Sequence, residues 1–232
     1  MEDLLDQYAL PDDDPACPLV CLDEKPVTLR ADLTPPLPVA PGRPARHDYA
    51  YERRGTANLF VLVAPQRGWR HVAVTDHRAT ADYAAQLRYL AEEAFPDATT
   101  IRLVQDNVST HTLAALYAAY PPERAHALAR RFEVHPTPKH ASWLNMAEIE
   151  ISVFARGCLT HPVDSVEILT QRVAALEAER NAAHATIDWR FSVLDARTKL
   201  RKLYPEPLTN LDRVLAAGLP ARAPPRPTPD FC

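Results

Sequence analysis

No stretch of this 232-residue chain stays apolar for the roughly 18 residues that a membrane helix needs, and none has the layout of a secretory signal. A soluble, cytoplasmic protein is expected, with no membrane partner. Cysteine is scarce. Cys17 and Cys21 stand close together, but no second Cys or His pair follows at zinc spacing, so these two, Cys158 and Cys232 read as free thiols in a reducing compartment. Glycine is nearly as rare, five residues against 23 prolines. The prolines cluster near the start, at 35–44 and after 204, and so mark loops and tails rather than core elements. Excess positive charge is missing too: Lys and Arg number 26 against 30 Asp and Glu, for a net charge of −4. That argues against a simple nucleic-acid-binding module, which is usually basic. It leaves room for a DNA enzyme, whose acidic metal ligands lower the total while local basic patches make the backbone contacts. There is no internal repeat.

What is present suits one α/β domain of ordinary composition, 47% apolar and 24% charged. Residues 1–18 are acidic and proline-bearing and read as a loose lead-in. The apolar run Leu19-Val20-Cys21-Leu22 predicts a buried strand ending at Asp23. Six prolines and glycines over 31–50 predict a long loop. Strands are predicted over 56–64 and, by alternation of two faces, over 69–75, with Pro65–Gly68 as the turn between them. Helical spacing of Tyr83, Ala84, Leu87, Leu90, Ala91 and Ala94 predicts a helix over 80–95, stopped by Pro96. A strand over 100–105 again ends in a carboxylate, Asp106. Short helices over 113–120 and 122–131 precede a last strand, 132–135, halted by Pro136 and Pro138. Helices follow over 142–159, with Ser142 as N-cap, and over 166–183. A strand meander followed by α/β units gives a mixed sheet with helices on its faces.

Two of these strands end directly in an aspartate. If they are neighbours, the carboxylates of Asp23 and Asp106 converge, and converging carboxylates repel unless a cation lies between them. Oxygen ligands at such a point suit Mg²⁺ or Mn²⁺. Asn107 and His111 follow Asp106 closely enough to orient or contact a phosphate; helix-start capping and a surface histidine are the plainer alternatives. A third ligand has two candidates. On a helical wheel Leu144, Ala147, Ile151, Phe154 and Ala155 form the apolar stripe, with Glu148 beside it and Glu150 at its other edge. The wheel leans to Glu148 without excluding Glu150, and removing the charge of Glu150 is expected to cost little. Arg43, Arg46, Arg53 and Arg54 around the proline loop, and Arg67, Arg70 and Arg78 beyond it, are either phosphate contacts or a solvated face. Lys139 and His140, just ahead of the Glu148 helix, favour DNA contact. Trp143 and Trp189 read as core anchors.

Several segments, in order, resemble the transposases of the mariner superfamily, in particular its bacterial insertion-sequence-630 branch. They are Cys21-Leu22-Asp23-Glu24-Lys25-Pro26, Gly42-Arg43-Pro44, Arg54 to Phe60, Gly68-Trp69-Arg70, Val104-Gln105-Asp106-Asn107, Thr137 to Glu148, and Ala183 to Tyr204 with Trp189-Arg190-Phe191 and Asp195-Ala196-Arg197. The resemblance implies a ribonuclease-H-like α/β fold: a mixed five-stranded sheet, helices on both faces, the first strand beside the fourth. It also implies an Asp-Asp-Glu triad on Asp23, Asp106 and Glu148, since the family's Leu-Asn-x-x-Glu spacing lands on Glu148. The implied cofactor is a pair of Mg²⁺ or Mn²⁺ ions. The implied reaction is DNA cleavage at element ends followed by attack of the freed 3′-hydroxyl on target DNA.

On this reading residues 19–204 are the catalytic domain and 205–232 a proline-rich tail without order. The implied partners are element-end and target DNA and a second copy of the chain in the DNA complex. The implied location is the bacterial cytoplasm, on the nucleoid when DNA is bound. Full family members carry helix-turn-helix domains ahead of the first Asp, whereas 22 residues precede Asp23 here. End recognition is therefore not expected from these residues, which read as a fragment, a decayed copy or the second frame of a split gene, the last with a separately encoded helix-turn-helix chain as partner. Two other readings stand beside this one: a catalytically idle copy that multimerises or regulates, and a metal-dependent nuclease acting on another nucleic acid.

Overall fold

The computed structural model describes residues 1–204 apart from Asp13, 35–37, Val39, 45–49 and 109–110. Five strands form one sheet: β1 (Leu19–Asp32), β2 (Tyr51–Ala64), β3 (Trp69–Thr75), β4 (Ile101–Gln105) and β5 (Phe132–Pro136). Their order is β3-β2-β1-β4-β5. The first three form an antiparallel meander, while β4 runs parallel to β1 and β5 parallel to β4. The first strand thus lies beside the fourth, as expected.

The helices are α1 (Glu2–Ala9), α2 (Thr80–Tyr89, continuing as a wider turn to Ala94), α3 (Ala114–Ala119), α4 (Pro122–Ala129), α5 (Ala147–Cys158), α6 (Val166–Ala182) and α7 (Val193–Lys199). Residues 1–192 form one compact unit, and a second begins at Val193. The second holds α7, whose Lys199 and Asp195 pair across one helical turn at 2.8 Å. The proline-rich stretch 205–232 and Cys232 lie outside the described residues.

Alternation along the strands divides the first unit's core in two. Val20, Leu22, Phe60 and Leu62 meet Tyr83, Leu87 and Leu90 of α2, and Leu116 and Leu128 of α3 and α4. Val27, Leu29, Leu59, Val61 and Val72 meet Ile151 and Phe154 of α5, and Leu169 and Val173 of α6. β3 is an edge strand, and an open edge invites pairing with other chains. Here α6 closes it. Asn181 Oδ1 accepts from the Arg70 backbone N–H and Glu177 Oε2 from that of Val72, both at 2.9 Å. The turn into β3 needs its glycine: Gly68 has φ +63, and a Cβ there would meet the His184 backbone at 2.5 Å.

Four sequence expectations change. The lead-in is not loose over Glu2–Ala9. Leu4, Leu5 and Tyr8 share one face of α1 and are buried, and Gln66 donates to the carbonyls of Tyr8 and Leu10 at its end. β1 does not stop at Asp23 but runs nine residues further, and β2 starts at Tyr51 rather than 56. Pro26 is tolerated inside β1 because β4 pairs with it only from Leu19 to Cys21, so past that point one edge of β1 is free of ladder bonds. Finally, the helix expected from Ser142 begins at Ala147, after a short 3₁₀ turn over Ser142–Leu144. Among the described residues no helix is long and apolar enough to cross a membrane. Cys17, Cys21 and Cys158 are free thiols.

Candidate functional site

The divergence of β1 and β4 creates the site. Their parallel register pairs Cys21 with Val104. Carried on by two residues, it sets Asp106, just past β4, against Asp23, where β1 has lost that neighbour. Asp23 pairs across the sheet with Val61 and so lies on the face that α5 covers. Glu24, one residue on, points to the α2 face.

Asp23 is half-buried, and its carboxyl is pushed up to about 7. Burial is the largest cause. The Glu24 backbone N–H, donating to Asp23 Oδ1 at 2.8 Å, pulls the other way, while the charges of Glu148, Asp106 and Glu24 push it up further. Glu148 is also half-buried, in the first turn of α5. Four carboxylates thus act on one region with little positive charge to balance them. Among the described residues, no three His, Cys, Asp or Glu side chains are arranged to hold a metal ion as they stand.

Among the described residues, His111 places an imidazole between two carboxylates of the cluster. Nδ1 lies 2.5 Å from Asp106 Oδ1 and Nε2 lies 2.6 Å from Glu24 Oε1. Burial alone would lower its pKa, but these two hydrogen bonds and the charges behind them outweigh it and raise the imidazole to about 9. The ring stacks on Tyr83, centroids 4.7 Å apart. Tyr83 donates to Gln105 Oε1 at 2.6 Å, and Gln105 Nε2 donates to the His111 carbonyl at 2.6 Å. Tyr83, Gln105, His111 and Glu24 therefore form one buried polar string that ends on Asp106. This corrects the expectation for His111: it is buried between two carboxylates and does not reach out to a phosphate.

On the other face, α5 separates its two glutamates. Glu150 is fully buried. It accepts from Arg180 Nε at 2.6 Å and Nη2 at 3.0 Å. It also faces Arg70, whose Nε lies 3.1 Å from Glu150 Oε1 without the angle of a hydrogen bond. Arg70 is equally buried and donates to the carbonyls of Gly68 and Ala185. Burial lowers its pKa, against the pull of Glu150. Glu150 and Arg70 are thus buried and occupied with each other, not open to a metal ion or a phosphate as they stand. The expectation that loss of the Glu150 charge costs little is corrected with them.

The remaining expected contacts divide by exposure. Arg43, Asn107, Lys139 and His140 are exposed, His140 with φ +64 in the turn before α5. Arg54 is exposed and paired with Glu52 at 2.8 Å. Arg67 is held by Asp12, also at 2.8 Å. Arg46 lies outside the described residues. Trp189 packs on Tyr8, centroids 5.2 Å apart, as an anchor does. Trp143 is 47% exposed, braced edge-on by Phe191, and is not a core anchor.

Sequence reasoning missed Glu24, Tyr83 and Gln105, and the use made of Asn145. Period-two alternation after Asp23 was a signal for Glu24. Nothing local marks the other three.

No curated protein matches the chain. Among solved structures, the Mos1 strand transfer complex aligns with a TM-score of 0.53 at 19% identity, over 79% of this chain and 55% of that one. The Mos1 mariner paired end complex with Mn aligns with a TM-score of 0.51 at 20% identity, over the same shares. At such identities the likeness establishes the fold, the ribonuclease-H-like mixed sheet, and the chain spans about half the length of those relatives. The model of the DDE superfamily endonuclease family matches residues 18–170, well over half of the sequence and all four carboxylates of the acidic cluster. The chain belongs to the DDE superfamily endonuclease family.

Proposed function

We propose that Asp23, Asp106 and Glu148 hold divalent metal ions, Mg²⁺ or Mn²⁺ and two in number, and that the chain is the catalytic part of a transposase that cuts DNA at element ends and joins the cut strand to target DNA. The observation that carries this reading is the parallel register of β1 and β4, which sets Asp106 against Asp23, where the charges of Glu148, Asp106 and Glu24 all act on the Asp23 carboxyl. An acidic group so crowded is poised for a cation, and an all-oxygen donor set suits a hard one. The Mn of the second Mos1 complex is in keeping with that choice. Such ions, when bound, activate a water or hydroxyl and offset charge on a transferring phosphoryl group.

The chain's own residues supply the rest. The polar string ending at His111 fixes the carboxylate of Asp106. Glu148 approaches from the α5 face, opposite to His111. Arg43, Arg54, Asn107, Lys139 and His140, all exposed, are proposed to meet DNA, and Arg46 with them. Arg54 must exchange Glu52 for phosphate to do so. The partners proposed are element-end and target DNA, a second copy of this chain in the DNA complex, and a separate helix-turn-helix chain for end recognition.

The test is cleavage and strand transfer on DNA carrying an element end, with and without Mg²⁺, for the wild type and Asp23→Asn. Metal-dependent cutting that Asp23→Asn abolishes is expected. A folded wild type that cuts no DNA returns the idle-copy reading, and one that cuts RNA in preference returns the other nuclease.

A further inference from the structure

We infer that Asn145 is a positioning residue that fixes Asp23 against the start of the helix carrying Glu148. The inference rests on the metal-site reading above. Asn145 is fully buried, and its side chain touches three separate parts of the site. Nδ2 donates to the Leu22 carbonyl of β1 at 2.8 Å and to Asp23 Oδ2 at 3.3 Å. Oδ1 accepts from the backbone N–H of Ala147, the first residue of α5, at 3.1 Å. The backbone contributes as well, since the Asn145 carbonyl accepts from the Glu148 N–H at 3.1 Å.

Only one orientation of the amide serves these partners, because Ala147 presents a donor while Leu22 and Asp23 present acceptors. The other oxygen of Asp23 is held by the Glu24 N–H at 2.8 Å, so Asn145 completes the fixing of that carboxylate. The residue is braced from behind. Its own N–H donates to the Ser142 carbonyl at 2.7 Å, and the Tyr8 hydroxyl of α1 donates to the Leu144 carbonyl at 2.7 Å.

A helix cap alone would not need an asparagine. Aspartate, serine and threonine accept from a first-turn N–H as well. What they lack at this reach is the amide donor pair, the half aimed at Leu22 and Asp23. A glutamine would carry that donor one methylene further away. The requirement is therefore for a side chain that accepts from the helix and donates to the strand at once, and it sits three residues before Glu148, at the point where α5 departs from the 3₁₀ turn.

Asn145→Asp separates the two jobs, since it keeps the acceptor for Ala147, removes the donors and adds a charge beside Asp23. It should melt below the wild type, because it buries a carboxylate beside Asp23, but at temperatures where it is fully folded it should nick supercoiled plasmid DNA in Mn²⁺ on the order of 10- to 100-fold more slowly, the usual effect of losing a group that orients a metal ligand. Nicking at the wild-type rate overturns the inference and leaves Asn145 a cap. If the variant does not fold, the wild type decides. Its Asn145 side-chain amide resonances should shift as Mg²⁺ is added, with the half-saturation seen by calorimetry, and resonances that stay put overturn the inference. Asp23→Asn is run beside them. If it leaves Mn²⁺ binding and nicking intact, the three-carboxylate reading fails. If it abolishes both while Asn145→Asp behaves as wild type, only the role of Asn145 falls.

Discussion

The two faces of the sheet solve the same problem differently. Both bring charge to the end of an apolar core, but toward α2 the polar groups form a string that leads outward to Asp106, whereas toward α5 they close on themselves. Tyr83 donates to Gln105, Gln105 donates to the His111 carbonyl, and the His111 ring bridges Glu24 and the half-buried carboxylate of Asp106. Glu150 and Arg70 face each other at complete burial, and the part-buried Arg180 adds a second cation to Glu150. The contrast teaches how to tell structural charge from chemical charge within a few residues. Glu148 and Glu150 share one helix turn, yet Glu150 is paired with arginines while the charge of Glu148 acts on the Asp23 carboxyl.

The largest effect should come from breaking the closed network. Glu150→Gln leaves Arg70 buried without its counter-charge, and removing one partner of a buried pair costs about 3–5 kcal/mol. Denaturant unfolding measures it; a loss under about 1 kcal/mol would mean that Arg70 finds other partners and that the two faces do not differ as described.

The open string should be weaker. Tyr83→Phe removes the hydroxyl that satisfies Gln105 Oε1, at a cost of about 1–3 kcal/mol for a buried acceptor left alone. It should also lower Mn²⁺ affinity, which Glu150→Gln should not do in whatever fraction remains folded. Titration of both variants by calorimetry checks this, and equal metal affinity in the two would dissolve the distinction.

Acidity sharpens the comparison further. The Asp23 carboxyl rises from 3.8 to about 7 on folding, so the folded state holds that proton more tightly. Its contribution to stability is full below about pH 4 and is lost as pH rises to about 7. His111 rises from 6.5 to about 9, so its contribution is full below 6.5 and is lost through 9. In metal-free protein, wild type minus Asp23→Asn should lose stability across the lower window, and wild type minus a His111→Gln variant across the upper one. A difference that grows with pH in either window contradicts the assignment. Smallest is the effect of an exposed cation: Lys139→Ala should weaken DNA binding uniformly over sequences and lower the salt slope by about one.

How much of this could be read from the chain follows from what is local. The apolar runs ending in Asp23 and Asp106 were legible, because strand ends are short-range patterns, whereas the adjacency of their strands was only implied by the resemblance. The continuation of β1 through Pro26 was not, since it depends on where β4 stops. Neither was the fate of Glu150, whose partners are Arg180, 30 residues on, and Arg70 on the sheet edge. At the edge of an apolar stripe, a glutamate with a buried arginine waiting looks the same in sequence as one without. Helix α1 was missed because an acidic, proline-bearing stretch hides three apolar residues that matter only once there is a surface to meet them. The exposed Trp143 was misjudged for the converse reason: ring size favours burial, and only the turn before α5 carries it outward.

The account turns on Glu148 serving the metal site while Glu150 serves the fold. The most direct measurement is Mn²⁺-dependent DNA cleavage by Glu148→Gln, taken together with its melting temperature. The account predicts that cleavage is abolished while melting and DNA affinity stay close to wild type. A Glu148→Gln protein that cuts DNA at the wild-type rate, or that loses activity only because it unfolds, contradicts it.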